Sequence, residues 1–240
     1  MGNIILNGIT PSAGKIKLGS QNVSRIYNGT TRVWPVETPP GDGEVLIGDL
    51  VWKTYNEFVA APGISEATTS AQAIGYLTND TPSYVYYQFD EANSSRGLLY
   101  NRQGAEALPP PPGFRLPTKA DFTNLIDALK LESSGANSND ITLIGGGDPN
   151  YWPSTITSNA EFGTSGFDSK GGGYAYAGST TLIFISGSSE QYWASNWFIQ
   201  EDETNGIVYK DEPGSTPDYL YFANQTNTNK YAYVRFCRDY

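Results

Sequence analysis

Phe122, Leu125, Ile126 and Leu129 recur at the three- and four-residue spacing that lines one face of an α-helix. The start of that helix is written just upstream, in Gly113-Phe114-Arg115-Leu116-Pro117-Thr118-Lys119-Ala120-Asp121. Pro117 biases Leu116 away from helical backbone, Thr118 can accept from the Asp121 amide, and Asp121 suits the positive end of the helix. The pattern predicts one short, capped amphipathic helix lying against something larger and mostly β.

Elsewhere short β-prone runs alternate with turn residues. Val45 to Trp52 and Ser83 to Phe89 read as strands, the second with Tyr84, Tyr86 and Tyr87 beside Val85 and Phe89. Tyr174 to Ile185 and Tyr219 to Phe222 read the same way, and Tyr231 to Arg238 alternates with a period of two. Leu108-Pro109-Pro110-Pro111-Pro112-Gly113 reads as a rigid polyproline connector, with a ligand for a proline-recognition module as its other reading. Glu132 to Asp140 and Gly145 to Asn150 are polar loops, and Gln200 to Asp218 is an acidic, turn-rich insertion. Long loops on a rigid sheet are where binding chemistry gathers. The expected class is α+β, mostly β.

The first 36 residues have a character of their own. Ile4-Ile5-Leu6, Lys15-Ile16-Lys17-Leu18, Val23 to Tyr27 and Thr31 to Trp34 are short strand-like runs separated by Asn-Gly and Gly-Ser. Such a unit is too small to be stable alone and is expected to pack on a partner, or else to extend the main domain. Pro35 to Gly43 has linker composition. The predicted organisation is a β module at 1–36, a Pro/Gly linker at 37–47 and a main domain at 48–240.

Composition narrows the function classes. A 240-residue chain with 38% hydrophobic and 17% charged residues can bury a real core. A net charge of −10 without basic runs argues against nucleic acid and anionic membranes as partners. Cys237 is the only cysteine, so packing and not an intrachain disulfide must hold the fold, with Cys237 as a buried small hydrophobe. The opening Met1-Gly2-Asn3-Ile4-Ile5-Leu6 lacks the features of a signal peptide and of a myristoylation site, and no span is long enough to cross a bilayer.

Histidine is absent, which removes the usual general base and the commonest transition-metal ligand. Glu201, Asp202, Glu203, Asp211 and Glu212 could pair for glycoside hydrolysis, but their clustering in a polar insertion reads more simply as a solvated face. Gly145-Gly146-Gly147 lacks the Lys-Ser/Thr of a phosphate loop. Asp148 and Asn150 are the only calcium candidates, against a plain turn. Aromatic and amide side chains remain as the binding handle: Tyr174, Tyr176, Tyr192, Trp193, Asn196, Trp197, Tyr219, Asn224 and Tyr231, with core packing as the first reading for Tyr192, Trp193 and Trp197 and an open one for Tyr174, Tyr176, Tyr219, Asn224 and Tyr231. No cofactor is expected.

Several stretches, taken in order, resemble the Fibrobacter succinogenes major paralogous domain, a bacterial relative of the C-type lectin fold. They are Trp52, Gly97-Leu98-Leu99-Tyr100-Asn101, the Gly113 to Phe122 segment, Gly172-Gly173-Tyr174, Tyr192-Trp193-Ala194-Ser195 and Val234 to Asp239. The resemblance implies a C-type-lectin-like domain, a fold that serves many binding roles. Calcium-dependent lectins of that fold use Glu-Pro-Asn with Trp-Asn-Asp; Asp148-Pro149-Asn150 is a loose echo and the partner tripeptide is missing. Formylglycine-generating enzymes share the broad fold, but with a second cysteine this chain lacks.

The opening residues resemble an N-terminal module on virion appendage proteins of phages that infect Bacteroidetes. The similarity rests on Ile-Leu-Asn-Gly, Lys-Ile-Lys-Leu-Gly-Ser, Val-Ser-Arg-Ile-Tyr-Asn-Gly-Thr and Val-Trp-Pro. It implies attachment to capsid or tail through Ile5, Leu6, Ile16, Leu18, Val23, Ile26, Tyr27, Val33 and Trp34. The combined expectation is a non-enzymatic, oligomeric virion protein, a head or tail fibre or decoration subunit, made in the host cytoplasm and displayed on the virion surface. Its distal domain would contact host-surface glycan or protein, without nucleic acid or membrane insertion. The alternatives are a bacterial surface or secreted binding module and, more remotely, a glycan-cleaving enzyme.

Overall fold

The computed structural model describes residues 40–129, 145, 160, 163–169, 173–185, 193–198, 200, 204–209 and 229–240, with the strand backbone at 16–18, 21–23, 26–28 and 31–34. At those four strands, and at 185, 193–196 and 204–209, only the backbone is described. The chain divides into two units, with the boundary between Pro40 and Gly41.

The first unit contains β1 (Ile16–Leu18), β2 (Gln21–Val23), β3 (Ile26–Asn28) and β4 (Thr31–Trp34). β1 pairs with β2 and β3 with β4, both antiparallel, as the short runs and Gly-containing turns predict. Ile16 lies opposite Val23 and Ile26 opposite Trp34, so four of the expected attachment residues form two cross-strand pairs. Leu18, Tyr27 and Val33 lie on the same strands, whereas Ile5 and Leu6 fall outside the described residues.

The second unit opens with a hairpin, β5 (Glu44–Ile47) and β6 (Leu50–Lys53), where the sequence suggested one strand from Val45 to Trp52. Gly48, at φ +62, makes the turn between them. The predicted linker at 37–47 is correspondingly shorter, because 44–47 are paired. β7 (Ser65–Glu66) and β8 (Ser83–Val85) are parallel and β9 (Leu99–Tyr100) completes that sheet. Between β7 and β8 runs a helix the sequence reading missed, α1 (Ser70–Thr78), whose Thr69 hydroxyl accepts from the Gln72 amide at 3.3 Å. Its buried stripe is only Ala73 and Leu77, too little to show as periodicity.

The predicted strand from Ser83 to Phe89 ends at Val85, and Tyr87–Phe89 is a 3₁₀ turn. A second 3₁₀ segment spans Glu91–Arg96. After β9 comes α2 (Arg102–Ala107), capped by the buried Asn101: its Oδ1 accepts from Gly104 N at 2.8 Å and Ser83 N at 2.9 Å. Gly104 must be glycine, since a Cβ there would lie 2.5 Å from the Ser83 carbonyl oxygen. α3 (Lys119–Leu129) is the predicted helix, with Phe122, Leu125 and Ile126 buried. Its capping box is reciprocal: Asp121 N donates to Thr118 Oγ1 at 3.2 Å and Thr118 N to Asp121 Oδ2 at 2.6 Å. Arg115 clamps the Asp121 carboxylate from outside the helix.

β10 (Tyr174–Ala177) and β11 (Leu182–Ile185) form an antiparallel hairpin inside the Tyr174 to Ile185 run that reads as a strand. β12 (Trp193–Phe198) pairs with β13 (Thr204–Tyr209), so part of the insertion read as an acidic loop is a strand. β14 (Lys230–Tyr231) joins β10, and β15 (Cys237–Asp239) joins β6. The architecture is α+β and rich in small sheets, with three α-helices among the described residues where one was expected.

The closing segment ties these sheets together. Tyr100 N donates to Ala232 O at 2.9 Å, Phe198 N to Tyr233 O at 3.1 Å, Glu57 N to Val234 O at 2.8 Å and Lys53 N to Phe236 O at 3.0 Å. Arg115 and Cys237 exchange backbone hydrogen bonds of 2.8 and 3.0 Å. Flanked in this way, Tyr231 through Cys237 are all buried, which overrides the period-two pattern read from the sequence. Around the segment Trp52, Phe122, Trp197 and Phe167 form a closed ring of aromatic contacts, with centroids 5.2, 5.9, 5.7 and 5.4 Å apart in turn. Each such burial is worth roughly 1.5–3 kcal/mol. Burial also pushes the Cys237 thiol up to about 12, so it is an unreactive core side chain, as expected.

Candidate functional site

Beyond β6 the chain leaves the sheet as Thr54–Ala60, a loop without regular structure whose backbone is nevertheless pinned. Thr54 N donates to Gly43 O at 2.9 Å, and Glu57 both donates to Val234 O and accepts from Leu98 N at 2.9 Å. Asn56, 2% exposed, is its deepest anchor. Its Oδ1 accepts from Trp197 Nε1 at 2.8 Å and from Arg235 at 3.1 Å, while its Nδ2 donates to Arg96 O at 2.9 Å. Gly97 makes that approach possible: its φ is +94, and an added Cβ would lie 2.5 Å from Asn56 Cβ.

Pinned in this way, the loop turns Tyr55 and Phe58 outward with ring centroids 5.8 Å apart, and Phe58 stays 61% exposed. Together with Tyr86 opposite they bound an open cleft of about 430 Å³, floored by Leu98 and edged by Ser94 and Ser95. The far wall is the 3₁₀ segment Glu91–Arg96. It is fixed by Ala92 N donating to Asp90 Oδ1 at 2.9 Å, by Asn93 Nδ2 donating to Tyr87 O at 3.1 Å, and by the Arg96 guanidinium 4.5 Å from the Tyr87 ring centre. The approach to that wall, Gln88 and Phe89, has φ of 56 and 58, a left-handed conformation costing non-glycine residues of order 1 kcal/mol or more each. Strain of this kind persists only where surrounding contacts over-determine it.

Charge lies behind the cleft. Arg235 is wholly buried, stacked 4.6 Å from Phe167 and 5.4 Å from Trp197, and donates to Asn56 and to the backbone oxygens of Phe167 and Asp168. Burial pulls its guanidinium down to about 9, still charged at neutral pH. Glu57 is 5% exposed with Oε1 unpartnered by protein; burial raises its carboxyl, partly offset by Lys53 and Arg235. Glu44 joins Lys53 at 2.9 Å and Arg238 at 3.1 Å. Burial alone would raise Glu44, but the Gly41 amide, Lys53 and Arg238 outweigh it and hold the carboxyl at about 2.

The aromatic residues read from sequence separate into distinct groups. Trp197 and Tyr231 are 0% exposed and so are framework, not ligand-facing surface; the Tyr231 hydroxyl lies 2.8 Å from Ser83 Oγ and donates to Ala73 O at 3.1 Å. Tyr174 and Tyr176 share one face of β10, half-buried, with ring centroids 6.3 Å apart and Lys230 Nζ 5.6 Å from the Tyr174 centroid. Trp193 and Asn196 lie on β12, with only their backbone described. Tyr192, Tyr219, Asn224, Asp148, Asn150 and the five acids from Glu201 to Glu212 lie outside the described residues. Among the described residues no three His, Cys, Asp or Glu side chains gather as a metal site, and no helix is long and apolar enough to cross a membrane.

The cleft residues Tyr55, Phe58, Ser94 and Ser95 did not figure among the sequence candidates, and Tyr86 figured only as a strand residue. The available signal was Phe58-Val59-Ala60-Ala61-Pro62, an apolar run directly after a buried strand but with no periodicity of its own.

No curated protein and no solved structure matches the chain. The family profile of the Fibrobacter succinogenes major domain matches residues 45–238, which is nearly all of the second unit. With hairpin β5–β6 at one end, the core-threading segment through Arg235 at the other and the pinned cleft between them, this chain belongs to the Fibrobacter succinogenes major domain family.

Proposed function

We propose that this protein is a structural subunit of a phage virion, a head or tail fibre or decoration protein. Residues 1–36 attach it to capsid or tail, and a C-type-lectin-like distal domain contacts a glycan or protein on the host surface. The observation that carries the reading is the division of the chain at Pro40: two short hairpins, too small to make a core alone, precede a large unit that holds aromatic rings open to solvent on a rigid loop. An attachment module followed by a binding module is the organisation such a subunit needs. The resemblance of the opening residues to modules of Bacteroidetes-phage appendages supports the virion assignment. Weak binding per copy suffices when many copies decorate one particle.

Removing residues 1–36 tests the attachment half. The remaining chain is expected to stay folded and to be missing from assembled particles; normal decoration of virions by the truncated protein refutes it. The family match favours a second reading, a bacterial surface binding module, because it covers the distal domain and not the opening residues. A gene neighbourhood without capsid and portal genes would select that reading.

A further inference from the structure

We infer that the cleft between Tyr55, Phe58 and Tyr86 is a subsite for one uncharged pyranose ring, packed on the Phe58 face and hydrogen-bonded by Ser94 and Ser95. The inference deepens the host-contact reading above and rests on it.

The lining carries no formal charge. Three aromatic rings, Asn56, Leu98 and two serines surround the cleft, so an ionic ligand would find no counter-charge there. The cations nearby are engaged: Lys53 with Glu44, Arg235 with Asn56 and two backbone carbonyls, and Arg96 against the Tyr87 ring. The chain as a whole, at −10, repels acidic sugars. A pyranose presents apolar C–H faces and a rim of hydroxyls, which matches aromatic walls edged by serine and tyrosine hydroxyls that both donate and accept. The volume of about 430 Å³ is in the range of small-ligand sites and leaves the ring open at one side, as a residue within a longer glycan requires.

Preorganisation distinguishes this cleft from an incidental surface dent. Asn56 spends its side-chain oxygen on Trp197 and Arg235 and is a positioning residue, not a ligand contact. Glu57 N and O are both bonded to the core, so Phe58 cannot fold inward to bury itself. A ring held exposed by its own backbone loses little freedom when a ligand covers it.

The test uses the full chain and saturation-transfer NMR with the methyl pyranosides of glucose, mannose, galactose and N-acetylglucosamine, with sialyllactose as the acidic probe and a proline-rich peptide as the peptide probe. Transfer to at least one neutral pyranoside is expected, with at least tenfold weaker binding in Phe58→Ala and unchanged binding in Ile183→Ala, an exposed apolar residue on β11. Phe58 is exposed, so a melt of Phe58→Ala should overlay the parent and rule out unfolding as the cause. Pyranoside binding unaltered by Phe58→Ala, or a response to sialyllactose or peptide alone, overturns the subsite. Adsorption of the same proteins, multimerised, to Bacteroidetes cell envelopes separates the two levels. If the parent adsorbs and Phe58→Ala adsorbs equally well, the subsite fails while host contact stands; if the parent adsorbs to no envelope, host contact itself fails.

Discussion

The indole nitrogen of Trp197 donates to Asn56 Oδ1 at 2.8 Å, joining residues 141 positions apart in the chain. One end of that bond sits in the aromatic ring with Trp52, Phe122 and Phe167, and the other shapes the floor of the cleft. Replacing Asn56 by Ala leaves the Trp197 N–H and one Arg235 N–H buried without an acceptor, at about 1–3 kcal/mol for each orphaned donor. Asn56→Asp keeps the acceptor and adds a counter-charge for Arg235, losing only the donation to Arg96 O. Thermal melts should therefore rank the parent above Asp and Asp above Ala; an Ala variant as stable as the parent would show that this bond does not anchor the loop.

Gly97 carries the opposite wall. Alanine there faces both a φ of +94 and a methyl 2.5 Å from Asn56 Cβ and 3.1 Å from Glu57 O, so backbone must move. Gly97→Ala is expected to cost about 1–3 kcal/mol or more from strain and overpacking combined. It should also raise Phe58 mobility, read as faster amide exchange over residues 54–60. Unchanged exchange would mean that the loop does not depend on this approach.

How much of this was legible in the sequence depended on whether the cause was local. The helix at Lys119–Leu129, its Thr118 cap and its buried stripe are set by contacts three or four residues apart, and periodicity exposes them. The hairpins of the first unit follow from turn chemistry in the same way. The period-two pattern of the closing segment does not hold because its neighbours Arg115, Tyr100 and Trp197 come from far along the chain and cover both of its faces. Whether Trp197 and Tyr231 pack or bind stays open in the sequence because composition does not tell a buried ring from an exposed one. Phe58 is the converse: its exposure is imposed by bonds from Glu57 to Val234 and Leu98, which no local pattern announces.

For α3 the cost of truncation follows from its packing. Leu125 is 3% exposed within the main core cluster, so Leu125→Ala should lose about 2–5 kcal/mol through lost transfer energy and the cavity left behind. Thr118→Ala removes one half of the capping box and should cost about 1 kcal/mol. A Leu125→Ala melt that coincides with the parent would refute the packing.

Acid stability should show carboxylates acting in opposite directions in separate pH windows. Glu44 sits at about 2 in the fold against an ordinary value of 4.5, so its contribution is full above 4.5 and is lost as pH falls from there toward 2. Asp121 acts in the same direction: burial would raise it, but Arg115 and Thr118 hold it below the ordinary carboxylate range. Glu57 runs the other way. Its carboxyl is raised by burial, so the fold favours the neutral acid, and that contribution is complete below 4.5 and disappears as pH rises through the raised value. Glu57→Gln should thus flatten the decline on the upper side while leaving the acid limb intact, and Glu44→Gln should soften the acid limb, with Asp121 keeping part of it. Melting temperatures recorded across both windows check each half: a Glu57→Gln profile parallel to the parent above 4.5 would mean that Lys53 and Arg235 already neutralise the cost of burying that charge.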